Sequence, residues 1–239
     1  MKGENWRESW MPLRPAPSKR LIICFSILGL MFTKPLGAAI GIKGGMSLSG
    51  LLSSTGDFRH ILGYEMSGLS MGNLTGFQVG FFKTFDLSRR LQIQPEISFA
   101  LRGGDGSKTF IYDDIVYKIK IFYVEFPLIL KYRIWTRGAF STRIFAGPYV
   151  ALKLKAEKQT IIWKEEGKTA LENVKKFDYG LLLGLGGEYD IGSGQVLLEL
   201  RSGLGLKNIM GVPSGTISLY PERDHIRNFY FSVMMGYAF

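Results

Sequence analysis

The sequence predicts an all-β fold: an eight-stranded antiparallel up-and-down transmembrane β-barrel, preceded by a cleavable signal peptide. Three observations predict it. The last stretch, Ile226 to Phe239, alternates with a period of two: Phe239, Tyr237, Met235, Val233, Phe231 and Phe229 share one face. Ala238, Gly236, Met234, Ser232, Tyr230 and Asn228 share the other, which is small or polar. Such a period means a strand. Seven earlier stretches alternate in the same way, and the connections between them alternate between short and long. A soluble barrel would turn its large residues inward; a membrane barrel turns them out to lipid and keeps a polar lumen.

The chain opens on an address. Lys2, Arg7, Arg14, Lys19 and Arg20 precede an apolar run, Leu21 to Phe32, and Gly37-Ala38-Ala39 offers small residues for cleavage. The run is shorter than the roughly 20 residues a membrane-spanning helix needs. Residues 1–39 therefore read as a signal peptide and 40–239 as one barrel domain. Cys24, the only cysteine, lies within the run, so the domain has neither a disulfide nor thiol chemistry. The net charge is +10 for the chain and +6 for residues 40–239, spread without a dense run, which excludes nucleic acid as a partner. After the signal no apolar stretch reaches 18 residues, so no helical span is expected.

The eight strands follow in order. The first sets Ile42, Met46 and Leu48 against Lys43, Ser47 and Ser49; the second sets Phe77, Val79, Phe81 and Phe85 against Gln78, Gly80 and Thr84. Lys83 breaks the second pattern near its end, where a lysine can reach the interface. The third places Leu91, Ile93, Ile97, Phe99 and Leu101 opposite Gln92, Gln94, Glu96, Ser98 and Arg102. The fourth runs from Phe122 to Arg133 with Glu125, Ile129, Lys131 and Arg133 on the minor face. The fifth, from Phe140, puts Arg143, Gly147 and Tyr149 on that face. The sixth sets Tyr179 to Tyr189 against Asp178, Gly184 and Glu188, and the seventh sets Val196 to Leu206 against Glu199 and Arg201. The C-terminal stretch is the eighth. Long connections fall at about 50–73, 103–115, 156–176 and 208–225, and short ones at 86–89, 136–138 and 192–194. An outer-membrane barrel with an even strand number has this plan, with short turns and both termini on the periplasmic side.

The minor faces carry ten charges: Lys43, Glu96, Arg102, Glu125, Lys131, Arg133, Arg143, Glu188, Glu199 and Arg201. They would make either an ion path or a lumen charge network in which acids and bases satisfy each other away from lipid. The near balance of sign and the narrow width of eight strands favour the network. Glycines on the same faces would make room for these long side chains.

Material for catalysis is sparse. His60 and His225 are the only histidines, in the first and last long loops, where Asp57 and Asp224 could join them above the rim. No histidine lies within a strand. No catalytic, cofactor or metal residues are assigned. In the third long loop, Thr160-Ile161-Ile162-Trp163 is a β-prone run, followed by a turn at Glu166-Gly167-Lys168. The reading is a protruding hairpin whose basic ends, Lys153, Lys155, Lys158, Lys175 and Lys176, lie at the level of lipopolysaccharide phosphates. Ile161, Ile162 and Trp163 would then be open to a protein partner by strand addition.

Gly41-Ile42-Lys43-Gly44-Gly45, Leu91-Gln92-Ile93-Gln94-Pro95-Glu96, Val124-Glu125-Phe126-Pro127-Leu128, Ala146-Gly147-Pro148-Tyr149, Phe177-Asp178-Tyr179-Gly180 and the closing Gly236-Tyr237-Ala238-Phe239 stand in order. Together they resemble the PorT-like outer-membrane β-barrel family of Bacteroidetes-type bacteria. The resemblance implies an outer-membrane location, a non-enzymatic barrel displaying loops for envelope integrity, adhesion or a partner, and no cofactor. An accessory role in a protein-secretion system is the alternative, with a solute channel or a loop-based hydrolase further off. The implied partners are outer-membrane lipid, lipopolysaccharide and the barrel-assembly machinery, for which Phe231, Tyr237 and Phe239 would be the assembly signal.

Overall fold

The computed structural model describes residues 38–53, 71–109, 114–162, 165–210 and 225–239. Its strands are β1 (Ala38–Ser53), β2 (Met71–Asp86), β3 (Leu91–Thr109), β4 (Asp114–Arg137), β5 (Phe140–Ile162), β6 (Glu165–Ala170), β7 (Phe177–Asp190), β8 (Gln195–Gly205) and β9 (Ile226–Ala238). Eight of them form a closed antiparallel barrel in the order β4, β3, β2, β1, β9, β8, β7, β5, with β5 pairing back to β4. The ninth, β6, pairs only with the outer length of β5. Among the described residues no helix is long and apolar enough to cross a membrane.

Closure sets β1 beside β9, with Gly41 opposite Ala238, so the barrel's first and last residues lie at one end. The three short turns lie at that end too. Ser88 accepts the amides of Arg90 and Leu91 in the first, while Gly138 and Gly192, at φ 58° and 85°, let the other two reverse. The strand ends Ser53, Met71, Gly205 and Ile226 lie at the opposite end.

Side chains sort as the alternation predicts for a membrane. Leu183 and Met235 are each 64 % exposed on the outside, whereas Glu199 and Arg143 are each 2 % exposed inside. Apolar groups outward and charges inward is the arrangement that lipid stabilises and water would not.

Above Phe122 the pattern inverts. In β4 below that ring, even-numbered residues are apolar and outward while Glu125 and Lys131 point in. Above it, the same outward row carries Lys120 and Lys118, and Ile121, Ile119 and Tyr117 are buried inside. In β5 a bulge opposite Phe122 and Tyr123 adds one residue, after which Lys155, Glu157 and Gln159 share the outward row. The outer lengths of β3, β4 and β5, with β6, therefore make a sheet beyond the lipid band that obeys the soluble rule.

This revises two expectations. Residues 103–115 are not a loop in the main: β3 continues to Thr109 and pairs with β4 down to Asp114. Glu166-Gly167-Lys168 does not form the hairpin turn, because it lies within β6, which pairs with β5 from Ile162 opposite Glu165 onward. Trp163 and the loop residues Asp57, His60 and Asp224 lie outside the described residues.

Inside, toward the loop end, apolar side chains are packed together. Leu51, Ile119, Ile121, Val174, Ile209 and Ile226 belong to one buried cluster. Val174 bridges to Met210, and the Lys175 amide donates to the Ile209 carbonyl at 2.7 Å, which brings the segments after β6 and β8 together.

Candidate functional site: the lumen charge cluster

Inward positions on β1, β3, β4, β5, β7 and β8 converge on one cluster, because eight strands leave a lumen only as wide as its side chains. Arg201 grips Glu96 through a two-pronged contact, Nη1 to Oε2 at 2.9 Å and Nη2 to Oε1 at 2.8 Å. Its Nε donates to Glu199 Oε2 at 3.0 Å. Lys43 bonds Glu96 and lies 3.1 Å from Glu199. Lys131 donates to Glu199 at 2.8 Å and reaches Glu188 at 3.5 Å, and Arg143 Nε also donates to Glu188. Seven of the ten inward charges thus form one continuous network.

Arg102 and Glu125 form a second unit nearer the loop end. Both contacts of the fork are 3.0 Å, and Gln78 bonds both partners. The Arg102 guanidinium lies 3.7 Å from the centre of the Tyr230 ring. Beyond it, Asn228 joins Asp178 at 2.9 Å and Tyr123 at 3.2 Å. Forked guanidinium–carboxylate pairs are the strongest neutralising geometry available, and in a dry lumen each needs its remaining hydrogen-bonding groups met as well.

Arg133 stands apart. It is half-buried, its cross-strand neighbour is Arg143, and its Nε is buried without a hydrogen-bond partner. Directly opposed like charges destabilise a sheet. The two sites should therefore respond with opposite sign. Glu188→Gln removes the acid shared by Lys131 and Arg143 and should lower the denaturant midpoint of the folded barrel. Arg133→Gln should leave that midpoint unchanged or raise it. A midpoint that falls as far for Arg133→Gln as for Glu188→Gln would show that Arg133 has a partner.

The inward glycines work differently from the expectation. A Cβ at Gly184 would strike the Phe145 ring, and one at Gly203 the Tyr230 ring. The room is taken by aromatic rings lying across glycines of the neighbouring strand, and the cations stack on those rings. Arg201 lies 5.4 Å from the Phe145 centroid and Lys43 lies 4.8 Å from that of Phe82. These aromatics were legible as large residues on a glycine-bearing face, opposite a glycine in register. Lys83, expected to reach the interface, is instead fully buried, with its ammonium 5.0 Å from the Phe85 centroid.

Residues 31–211 match the family of the outer membrane protein beta-barrel domain. The chain belongs to that family. It is a small outer-membrane β-barrel protein, with lipid against its exterior. The match is to the broad barrel family and does not single out the PorT-like group. Among solved structures, the chain is similar to the outer membrane protein OprG from Pseudomonas aeruginosa, with TM-score 0.45 and 14 % identity over 85 % of this chain and 96 % of that one. It is similar to Neisserial surface protein A at TM-score 0.42 and 12 % identity over 84 % of this chain and 97 % of that one. For Ail, the attachment invasion locus protein of Yersinia pestis, the TM-score is 0.36 and identity 12 %, over 85 % and 100 %. No curated protein sequence matches the chain.

The closing strand of this barrel carries the three aromatics read as an assembly signal. Phe231 and Phe239 are exposed on the outside, and the Tyr237 hydroxyl donates to the Ser193 carbonyl at 3.2 Å in the last short turn. The Phe239 amide donates to the Ile40 carbonyl at 2.7 Å, which ties the terminal residue to β1. Of the hairpin residues, Ile161 has a partner on each side, Val116 and Glu166, so it offers no free edge. Lys153 donates to the Val174 carbonyl, and Lys158 pairs with the buried Ile119, so neither points out to the lipid headgroups. Among the described residues no group of acids, histidines and cysteines could hold a metal ion.

Proposed function

We propose that the protein is a non-enzymatic outer-membrane barrel with a closed lumen, whose working surface is the sheet at the loop end. Residues 1–39 serve as its signal peptide, and both ends of the barrel lie in the periplasm. One observation carries the reading: Glu96 and Glu199 lie at the centre of the lumen, each gripped by cations from across the barrel, beneath an apolar cap. Such a lumen is filled by side chains committed to each other, with no histidine among the described lumen residues to relay protons. The site supports structure rather than turnover. The surface that remains for function is the outer length of β3 to β6, presented to lipopolysaccharide and to a protein partner, while Phe231, Tyr237 and Phe239 serve insertion by the assembly machinery.

Two measurements on the wild-type protein test this. Outer-membrane fractions should contain a heat-modifiable band, because a folded barrel resists detergent until heated. The purified barrel in a planar bilayer should show no steady conductance. A soluble periplasmic protein without a band shift would overturn the membrane reading, and a reproducible single-channel step would overturn the closed lumen.

A further inference from the structure

The outside of the barrel changes character sharply at one height. Phe77, Phe99 and Phe122 form a ladder across β2, β3 and β4, with ring centroids 5.8 and 5.9 Å apart. Aromatic rings of this kind sit where hydrocarbon gives way to headgroups. The hydropathy inversion of β4 begins at the same ring, an independent sign that water-exposed structure starts there.

Immediately beyond the ladder the outward row is basic. Lys155 is the β5 partner of Phe122 itself. One row further out Lys120 pairs with Glu157, and in the next row Lys118 pairs with Gln159, which pairs in turn with Lys168 of β6. Among the described side chains, the acids on this face are Glu157, Asp105 beside Lys118, and Glu166 in the outermost row. Glu157 is held by Lys155 at 2.5 Å, and no carboxylate lies within ion-pair distance of Lys118, Lys120 or Lys168 among the described residues. Three ammonium groups, two on β4 and one on β6 across the intervening β5, each with spare donors, thus stand just above an apolar aromatic shelf. Neighbouring strands lie about 4.8 Å apart, so β4 and β6 are about 10 Å apart, a distance that the two phosphates of one disaccharide headgroup can span.

We infer that this face docks the phosphorylated headgroup of a lipopolysaccharide molecule, with its acyl chains against the Phe77–Phe99–Phe122 ladder. Lys118, Lys120 and Lys168 meet its phosphates as point charges, and Lys155 orders Glu157 beneath them. A protein ligand would satisfy the lysines but would not use rings that face hydrocarbon; a diphosphorylated, acylated glycolipid uses both. The inference rests on the proposed orientation, with the loop end outside the cell.

The test uses the full-length mature barrel, folded in nanodiscs of zwitterionic phospholipid, with lipid retention read by native mass spectrometry. Wild type should retain bisphosphorylated lipid A and lose the dephosphorylated form. The K118Q/K120Q/K168Q variant should retain the former about tenfold less or weaker still, since each basic residue at an anionic surface contributes a severalfold gain. The corresponding triple arginine variant should restore retention. Equal retention of both glycolipids by wild type, which needs no variant to fold, would overturn the inference. So would undiminished retention by a glutamine variant that keeps its heat-modifiable band. Failure of wild type to show that band would instead sink the barrel reading beneath it.

Discussion

Replacing Glu199 with glutamine should destabilise the folded barrel by roughly 3–5 kcal/mol, the cost of leaving buried charges without their partner. Glu199 accepts from Lys43, Lys131 and Arg201, so one substitution strands part of the charge of three cations at once. Glutamine keeps the size and one carbonyl oxygen, so crowding does not enter. The measurement is the midpoint of denaturant unfolding in lipid vesicles, with Glu166→Gln on the exposed β6 as a reference that should not move it. The variant should still fail to conduct, because the apolar cap around Ile119, Ile121 and Ile209 is untouched. A Glu199→Gln barrel as stable as wild type would mean that the cluster is hydrated well enough to need no countercharge.

The barrel itself was legible because two signals agreed. Period-two alternation named the strands, and the alternation of connection length gave the up-and-down order. Both depend only on the solvent on each side of a strand, which is uniform across the lipid band. The loop end was harder for a physical reason. Gly103-Gly104-Asp105-Gly106 has the composition of a turn, yet these residues pair with Lys120 to Tyr117 inside a hairpin. Gly103 is needed there for another cause: at φ 145°, any Cβ would collide with the Ile119 carbonyl. The stretch Tyr117 to Ile121 alternates cleanly, but with polarity opposite to that of Phe122 to Arg133. A search for outward apolar residues passes over it, whereas a search for the place where parity inverts would have found both the outer sheet and the membrane boundary.

The charged side chains could be assigned to the lumen from parity alone, but their pairing could not. Lys43 and Glu199 are separated by 156 residues, and only the register across β1, β9 and β8 brings them together. Arg133 has the same parity as Lys131 and was grouped with the others. What distinguishes it is its height: two residues closer to the turn end, it faces Arg143 rather than an acid. Composition carries no information on height, so a balanced count of charges concealed one arginine with no carboxylate partner among the described residues.

The last expectation separates the two faces of the closing strand. Val233 is 45 % exposed on the outside, in register with Met46 and Leu200. Arginine there should cost about 2–4 kcal/mol, the penalty for a guanidinium near the bilayer midplane, and a thinner bilayer should relieve it by letting the side chain reach the interface. The adjacent Ser232 is 1 % exposed, in register with Ser47 and Arg201, and its hydroxyl has no hydrogen-bond partner. Ser232→Ala should therefore be neutral or slightly stabilising, since it removes a polar group that burial leaves unmet. Ser232→Arg should be damaging through crowding and repulsion beside Arg201, with no dependence on bilayer thickness. Unfolding in vesicles of two acyl-chain lengths reads all three variants. If thickness rescues Ser232→Arg and not Val233→Arg, the inward and outward faces have been exchanged, and the lumen assignments built on that parity fall with them.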